Sequence, residues 1–342
     1  MAYLDITGAY DNVNQEILWD ILKGMDIGDD CVQLLREIYR DNTVCIEWEG
    51  IGSEENVDIS KGLREGRPLS PLICMLYMMR VEKALEGSNI GFNMSHRQGG
   101  VMIQQKIRGL FYADDIVLFA DNEEYIQRLA DICGREGEAL GLGFSVTKCG
   151  LTVTNDPNDP AVSIQGQEIP RVSEYKYLRV WINEGDRYVE VQEKVSAAKG
   201  KRNAAIMKHR ALWGHNRHDV LRGLWKGIMV PGLTFGNSVG CIRSKVQPGM
   251  DVNQNTVGRL ALGAHGKTTN GAVKDDMGWT SLEAREAQSK IMFEERLRNM
   301  KESRWPEKVF RYFYRKSVNV QWRERTRRFT SKYTAGSVSG MA

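Results

Sequence analysis

The chain has 342 residues, with 47 Lys+Arg against 44 Asp+Glu and a net charge of +3, and its 42% hydrophobic content excludes a disordered chain. Its longest apolar run, Leu72 to Met79, is far short of the ~20 residues of a membrane span, and the opening MAYLDITGAYD lacks the basic and apolar regions of a secretory signal. Six scattered cysteines without a CxxC pair exclude a zinc knuckle or redox motif and fit reduced, mostly buried thiols in an intracellular protein, nuclear or cytoplasmic.

Residues 2–7 are a short apolar run ending in Asp5, with Gly8 behind it, which predicts a buried strand breaking into a turn. Asn14 is placed to cap a helix carrying Ile17, Leu18, Ile21, Leu22 and Met25. A second helix is predicted over 30–40, on Val32, Leu35, Ile38 and Tyr39. Val44, Ile46 and Trp48 alternate, as do Val57 and Ile59, across a Gly- and Glu-rich turn, the pattern of a hairpin. Ser70 as cap and Pro71 at the first helical position open a helix through Met75, Met78 and Leu85. KIRGLFYADDIVLFA (106–120) reads as two strands around a polar tip, followed by a helix over about 122–140. β structure returns over 161–185. Helices are then expected over roughly 187–213, 218–229, 251–263, 280–303 and 306–316, with the last dozen residues unstructured.

The first half is therefore a split βαβ-like α+β layer and the second half mainly α. Charge follows that division: 1–160 hold 14 Lys+Arg and 27 Asp+Glu, whereas 161–342 hold 33 and 17. Such an asymmetry points to nucleic-acid or membrane contact.

The informative chemistry is a set of carboxylates at element ends. Asp5 ends a strand, and Asp114 and Asp115 form the tip of a hairpin between apolar segments. Carboxylates between apolar strands are unfavourable unless paired or bound to a cation. Such oxygen donors suit Mg²⁺, which binds one or two carboxylates plus substrate phosphates. Two ions about 4 Å apart would stabilise the attacking and leaving oxygens of a phosphoryl displacement. Successive strand side chains face opposite ways, so Asp114 and Asp115 are not equivalent and one is expected to be the principal ligand. An Asp-Asp turn alone is common and says little.

The chain carries AYLDITGAYDNV, KGLREGRPLSP, LFYADDIVLFA, LGLGFSVTKCGLTV and EYKYLRVWI in that order. It resembles the reverse transcriptases of non-LTR (LINE-type) retrotransposons, the five segments matching palm motifs A to E over about 2–182. The resemblance implies an α+β right-hand polymerase palm, a split βαβ-like antiparallel sheet with helices on one face, followed by a mainly helical thumb and C-terminal region. It implies domains over 1–185 (palm), 186–300 (thumb or connection) and 301–342 (basic and aromatic). It implies RNA-directed DNA polymerase activity with two Mg²⁺ ions (Mn²⁺ as substitute), on dNTPs, an RNA template and a DNA primer, without a membrane.

Carried over residue by residue, Asp5 and Asp114 match the metal ligands and Asp115 the less essential neighbour. Tyr10, five residues after Asp5, matches the aromatic gate whose ring excludes a ribose 2′-hydroxyl. Gly66, Pro68 and Ser70 match the motif B loop and helix start beside the incoming base pair, and Tyr112 opens the YADD tip. Lys148 matches the motif D lysine, a general-acid candidate for the departing pyrophosphate. Tyr177 and Leu178 match the motif E hairpin under the primer end. Two positions depart from the family: Glu65 stands where Gln is usual, and Arg179 stands where Gly follows Tyr-Leu. Met1 lies four residues before Asp5. The expectation is thus a palm and thumb without the fingers and endonuclease segments that belong to such polyproteins. Two other readings fit these residues: a truncated, inactive remnant that keeps its fold and nucleic-acid grip, and a group II intron maturase-like or other right-hand polymerase.

In the basic half, Lys194, Lys199, Lys201, Arg202, Lys208 and Arg210 with Trp213 and Trp225 fit a grip on a primer–template backbone. Residues 301–342 hold 11 Lys+Arg against three acids and interleave aromatics with arginines. This is either a stacking nucleic-acid arm or an amphipathic helix whose Trp305, Val309, Phe310 and Phe313 pack on the body. His209, His215 and His218 have only Asp219 at ligand spacing, so no zinc site is expected.

Overall fold

The computed structural model describes residues 1–40, 43–44, 47–48, 51–52, 57–59, 61–64, 66–154, 160–184, 194, 197–202, 205, 207, 216–240, 247–318 and 320–334. Two compact units divide the chain, Met1–Leu178 and Arg179–Ala342. The division falls between Leu178 and Arg179, inside the β segment over 161–185.

The first unit is built on a four-stranded antiparallel sheet. Its strands are β1 (Ala2–Asp5), β2 (Gly109–Tyr112), β3 (Asp115–Leu118) and β4 (Gly150–Leu151), in the order β2-β3-β1-β4. The register pairs Ala2 with Leu118, Tyr3 with Val117, Leu4 with Ile116 and Asp5 with Asp115. Because strand side chains alternate, Ala2, Leu4, Ile116 and Leu118 share one face and Tyr3, Asp5, Val117 and Asp115 the other. The first face is the core. Helices α3 (Ser70–Gly87) and α4 (Glu123–Ala139) cover it with Ile73, Tyr77, Val81, Leu129 and Cys133, all buried.

Between β1 and α3 lie α1 (Gln15–Lys23), α2 (Asp29–Tyr39) and the expected hairpin, with Thr43–Val44 paired to Val57–Asp58 and Glu47–Trp48 to Ile51–Gly52. Asn14 caps α1, its Oδ1 accepting the N–H groups of Glu16 and Ile17 at 3.0 and 3.2 Å. Two short hairpins between α3 and β2, pairing 92–93 with 106–107 and 96–98 with 101–103, were not predicted.

Ser70 is not the cap of α3. Leu69 already has helical backbone angles, which makes Ser70 the first helical residue and Pro71 the second. The freed Ser70 hydroxyl is buried and donates instead to the Arg64 carbonyl at 2.5 Å.

The second unit begins with the strand Val180–Asn183, and the other elements among its described residues are helical. Of the predicted 187–213 helix, Lys194, 197–202, 205 and 207 are helical, and the rest, with Lys208, His209, Arg210, Trp213 and His215, lies outside the described residues. Next come α5 (Arg217–Leu224), a π-helical turn over Trp225–Met229, a short helix Val230–Thr234 and α6 (Gln247–Leu262). α7 (Asn270–Met277), α8 (Leu282–Arg298), α9 (Trp305–Arg315) and α10 (Gln321–Thr334) complete it. Trp225 is fully buried beside Trp279, ring centroids 5.3 Å apart, in the core of this unit. It therefore offers no ring face to nucleic acid, contrary to the sequence expectation.

α10 is a second correction, because Ser331–Thr334 were expected to be unstructured and instead close a helix. Its hydrophobicity is low, and charge holds it: Arg325 makes two hydrogen bonds to the buried Glu286 of α8, at 2.6 and 2.8 Å. Lys332 meets Glu283 at 3.0 Å, and Trp322 Nε1 donates to the Ser238 carbonyl at 2.6 Å. The aromatics of this region are likewise used internally. Phe310 and Phe329 are buried, Arg298 lies over Phe310 and Tyr314, and Arg323 lies 4.1 Å over Tyr314. Among the described residues no helix is long and apolar enough to cross a membrane.

Candidate active site

The carboxylates meet at the ends of β1 and β3. The Asp5 N–H donates to Cys149 Sγ at 3.4 Å, and its carbonyl accepts from Ser145 N–H at 2.9 Å. Both groups thus point away from β3. Asp5 and Asp115 are therefore a non-hydrogen-bonded antiparallel pair, the type that brings side chains closer together. Asp114 lies beside them in the two-residue turn between Tyr112 and Asp115, and its neighbour Ala113 holds φ +53°, a left-handed conformation unfavourable for an L-residue. Burial, then the Asp114 charge, then the Asp5 charge raise the Asp115 carboxyl above its ordinary value. Burial and the Asp114 charge push the Cys74 thiol on α3 up to about 11.

Asp5, Asp114 and Asp115 supply oxygen only, the chemistry of a hard cation. Among the described residues no three Asp, Glu, His or Cys side chains converge tightly enough to hold an ion by themselves. The donor set fits Mg²⁺ in its usual mode, in which water and substrate phosphates complete what one or two carboxylates begin.

Lys148 closes a 3₁₀ turn over Val146–Lys148, and its Nζ lies 3.6 Å from Asp5 Oδ2. Strand β5 (Glu174–Tyr177) lies over the face of the sheet that carries the carboxylates. Tyr175 stacks on Tyr3 at 4.2 Å and 10°, and Tyr177 approaches Tyr3 at 5.9 Å. Tyr175 Oη donates to the Lys148 carbonyl at 2.8 Å. Burial, reinforced by the nearby carboxylates, pushes the Tyr175 and Tyr177 phenols up to about 12, so both are neutral donors at neutral pH. β5 leads into two successive left-handed residues, Leu178 at φ +47° and Arg179 at φ +65°.

Tyr10 is half-buried against the core, and its carbonyl accepts the Leu63 N–H at 2.8 Å, tying the segment after β1 to the loop before α3. In that loop Gly66 holds φ +74°, and Gly66, Arg67 and Pro68 are exposed while Ser70 is buried. Glu65 lies outside the described residues. Tyr112 is 64% exposed beside the carboxylates, free to meet a substrate. His218 pairs with Asp219 at 2.9 Å, far along the chain from this site.

Three site residues escaped the sequence reading. Gly62 holds φ +89°, and a Cβ there would lie 2.9 Å from the Asp11 carbonyl oxygen, so only glycine lets the two loops meet. Gly150 lies under the Tyr175 ring, 2.7 Å from where a Cβ would sit. Tyr175 itself was legible, since Tyr175 and Tyr177 alternate on one strand face in EYKY. A cavity of about 380 Å³ opens at the other end of the sheet, between Met1, Phe92, Phe119 and Leu151, and the three carboxylates do not line it.

Residues 1–182 match the family described as reverse transcriptase (RNA-dependent DNA polymerase). The chain is similar to the Pol polyprotein of the type-2 retrotransposable element R2DM of Drosophila melanogaster, 27% identical over 191 residues, which are 53% of this chain and 17% of that one. It is also similar to the Pol polyprotein of the type-1 retrotransposable element R2 of Nasonia vitripennis, 26% identical over 210 residues, 58% of this chain and 19% of that one. The matched stretch thus spans less than a fifth of these curated relatives. A solved structure of Candida albicans telomerase in complex with a fragment of telomeric RNA aligns over 96% of this chain and 50% of its own, at 10% identity and a TM-score of 0.35. The family match covers more than half of the chain and includes the whole carboxylate hairpin, so the chain belongs to the reverse transcriptase (RNA-dependent DNA polymerase) family.

Proposed function

We propose that the first unit is the palm of a non-LTR retrotransposon RNA-directed DNA polymerase, adding deoxynucleotides to a primer 3′-hydroxyl on an RNA template. The observation that carries this reading is the pairing of Asp5 with Asp115, with Asp114 in the adjoining turn, inside a family-matched segment. Asp5 and Asp114 would hold two Mg²⁺ ions, with Mn²⁺ as substitute, and Asp115 would assist. When bound, the ions offset charge on the attacking 3′-oxygen and on the departing pyrophosphate. The 3′-hydroxyl gives its proton to solvent, its oxygen bonds to the α-phosphorus, and the bond between the α-phosphorus and the pyrophosphate oxygen breaks.

Lys148 Nζ gives a proton to the leaving pyrophosphate. Tyr10 fills the space of a ribose 2′-hydroxyl, the Gly66–Ser70 loop and Tyr112 border the nucleotide, and Tyr177 and Leu178 support the primer end.

Primer extension on an RNA template with dNTPs and Mg²⁺ tests the reading. Wild type is expected to extend the primer and Asp114→Ala to slow by at least about 10²-fold, the scale of removing one electrostatic stabiliser. Absence of extension by wild type, with primer–template binding retained, would favour the inactive remnant. Tyr10→Ala is expected to admit ribonucleotides, and unchanged sugar discrimination in that variant removes the gate.

A further inference from the structure

The carboxylate cluster carries a cation of its own. Lys148 Nζ lies 3.6 Å from Asp5 Oδ2, on the carboxylate that the reading above assigns to an ion. The other ionisable groups coupled to Asp5 are Asp115, Cys149 and Tyr175. All three are acids, so none of them brings a second cation to Asp5.

The root of Lys148 is fixed. Its N–H donates to the Ser145 carbonyl and its own carbonyl accepts from Tyr175 Oη, both at 2.8 Å. Ser145 in turn holds the Asp5 carbonyl at 2.9 Å. The head is open to solvent, the side chain being 70% exposed against 20% for Asp5. A fixed root and a solvent-exposed head suit a group that leaves and returns to one place.

We propose that the Lys148 ammonium occupies Asp5 in the cation-free chain and that a divalent ion binds there by exchange with it. Lys148 thereby sets the metal affinity of the site as well as serving the leaving group. This rests on the two-ion reading above. Tyr175 is a positioning residue in it, holding the Lys148 backbone.

Calorimetric titration of the full chain with Mn²⁺ at low salt, without nucleic acid or nucleotide, tests the exchange. Lys148→Gln is expected to bind about two- to fivefold more tightly than wild type, the scale of an exposed ion pair. Lys148→Arg is expected to match wild type, and Asp5→Asn to abolish the heat in either background. Equal affinity of wild type and Lys148→Gln, with both heats Asp5-dependent, overturns the exchange alone. Absence of any Asp5-dependent heat overturns the two-ion reading and the exchange together. Urea unfolding in EDTA reads the ion pair without metal: Lys148→Gln and Asp5→Asn are expected to be non-additive. Strict additivity overturns the occupancy of Asp5 by Lys148.

Discussion

At the level of single residues, Asp115 has an unfavourable place. Like charges directly opposite on antiparallel strands are destabilising, by about 0.2–1 kcal/mol, and Asp115 faces Asp5 with Asp114 next to it. Its pKa is raised, by burial first and then by those neighbours. The folded chain therefore binds a proton there at a pH where the unfolded chain does not. The penalty is absent below the ordinary carboxylate pKa, grows as pH rises through the window up to the raised value, and is fully present above it. Asp115→Asn is expected to stabilise the chain in EDTA at neutral pH by about 0.2–1 kcal/mol, and the gain should vanish in acid. Urea midpoints across that range check it, and a gain independent of pH would show that charge is not the cause. Arg179 follows the same logic of local cost. The family's usual glycine after Tyr-Leu is replaced, yet the backbone keeps φ +65°. A left-handed L-residue costs ~1–2 kcal/mol and glycine's extra entropy ~0.5–1. Arg179→Gly is thus expected to stabilise by about 0.5–1 kcal/mol in the same assay.

Among the elements, β4 and β5 depend on one glycine. A Cβ on Gly150 would lie 2.7 Å from Tyr175 Cδ2 and 2.9 Å from Val172 Cγ2. Tyr175 is already stacked on Tyr3, so the ring must lift and release the Lys148 carbonyl. Gly150→Ala is expected to cost about 1–3 kcal/mol, as overpacking does, and a denaturant midpoint equal to wild type would show that β5 yields freely. Nothing in KCGLT announces this, because the Gly150–Tyr175 contact joins strands 25 residues apart in sequence. By contrast, β1, the β2–β3 hairpin, α1 and α4 were readable, since short apolar runs, the Asn14 cap and helical spacing are local signals. The pairing of Asp5 with Asp115 beside the Asp114 turn was readable for the same reason, lying at the ends of local patterns. α10 was not, because its hold on α8 is the Arg325–Glu286 pair rather than an apolar stripe. Arg325→Ala is expected to destabilise the second unit by about 1.5–3 kcal/mol, the scale of hydrogen bonds lost from a buried carboxylate that keeps Lys290 as a partner at 4.0 Å. Circular dichroism during urea unfolding reads this as early loss of helix.

Across the whole molecule, charge separates along the chain, 14 Lys+Arg to 27 Asp+Glu in 1–160 and 33 to 17 in 161–342. The acidic part holds the carboxylate site. The sequence offered the basic part as a grip built from both stacking and charge, and the structure removes much of the stacking. Trp225 is sealed in a core, Phe310 and Phe329 are buried, and the Tyr314 face is taken by Arg298 and Arg323. Lys194, Lys199, Lys201 and Arg202 instead are helical and exposed. A grip built on these exposed cations would be electrostatic, tolerant of base sequence and strongly dependent on salt. Replacing these four residues together by Gln is expected to weaken primer–template binding equally across sequences. It should also flatten the slope of log K against log salt by ~0.9 for each phosphate that is no longer neutralised. Fluorescence anisotropy over a salt series measures both. A parallel slope at lower affinity would mean that the four cations act through folding rather than through phosphate, and an unchanged binding curve would place the grip elsewhere in the basic half.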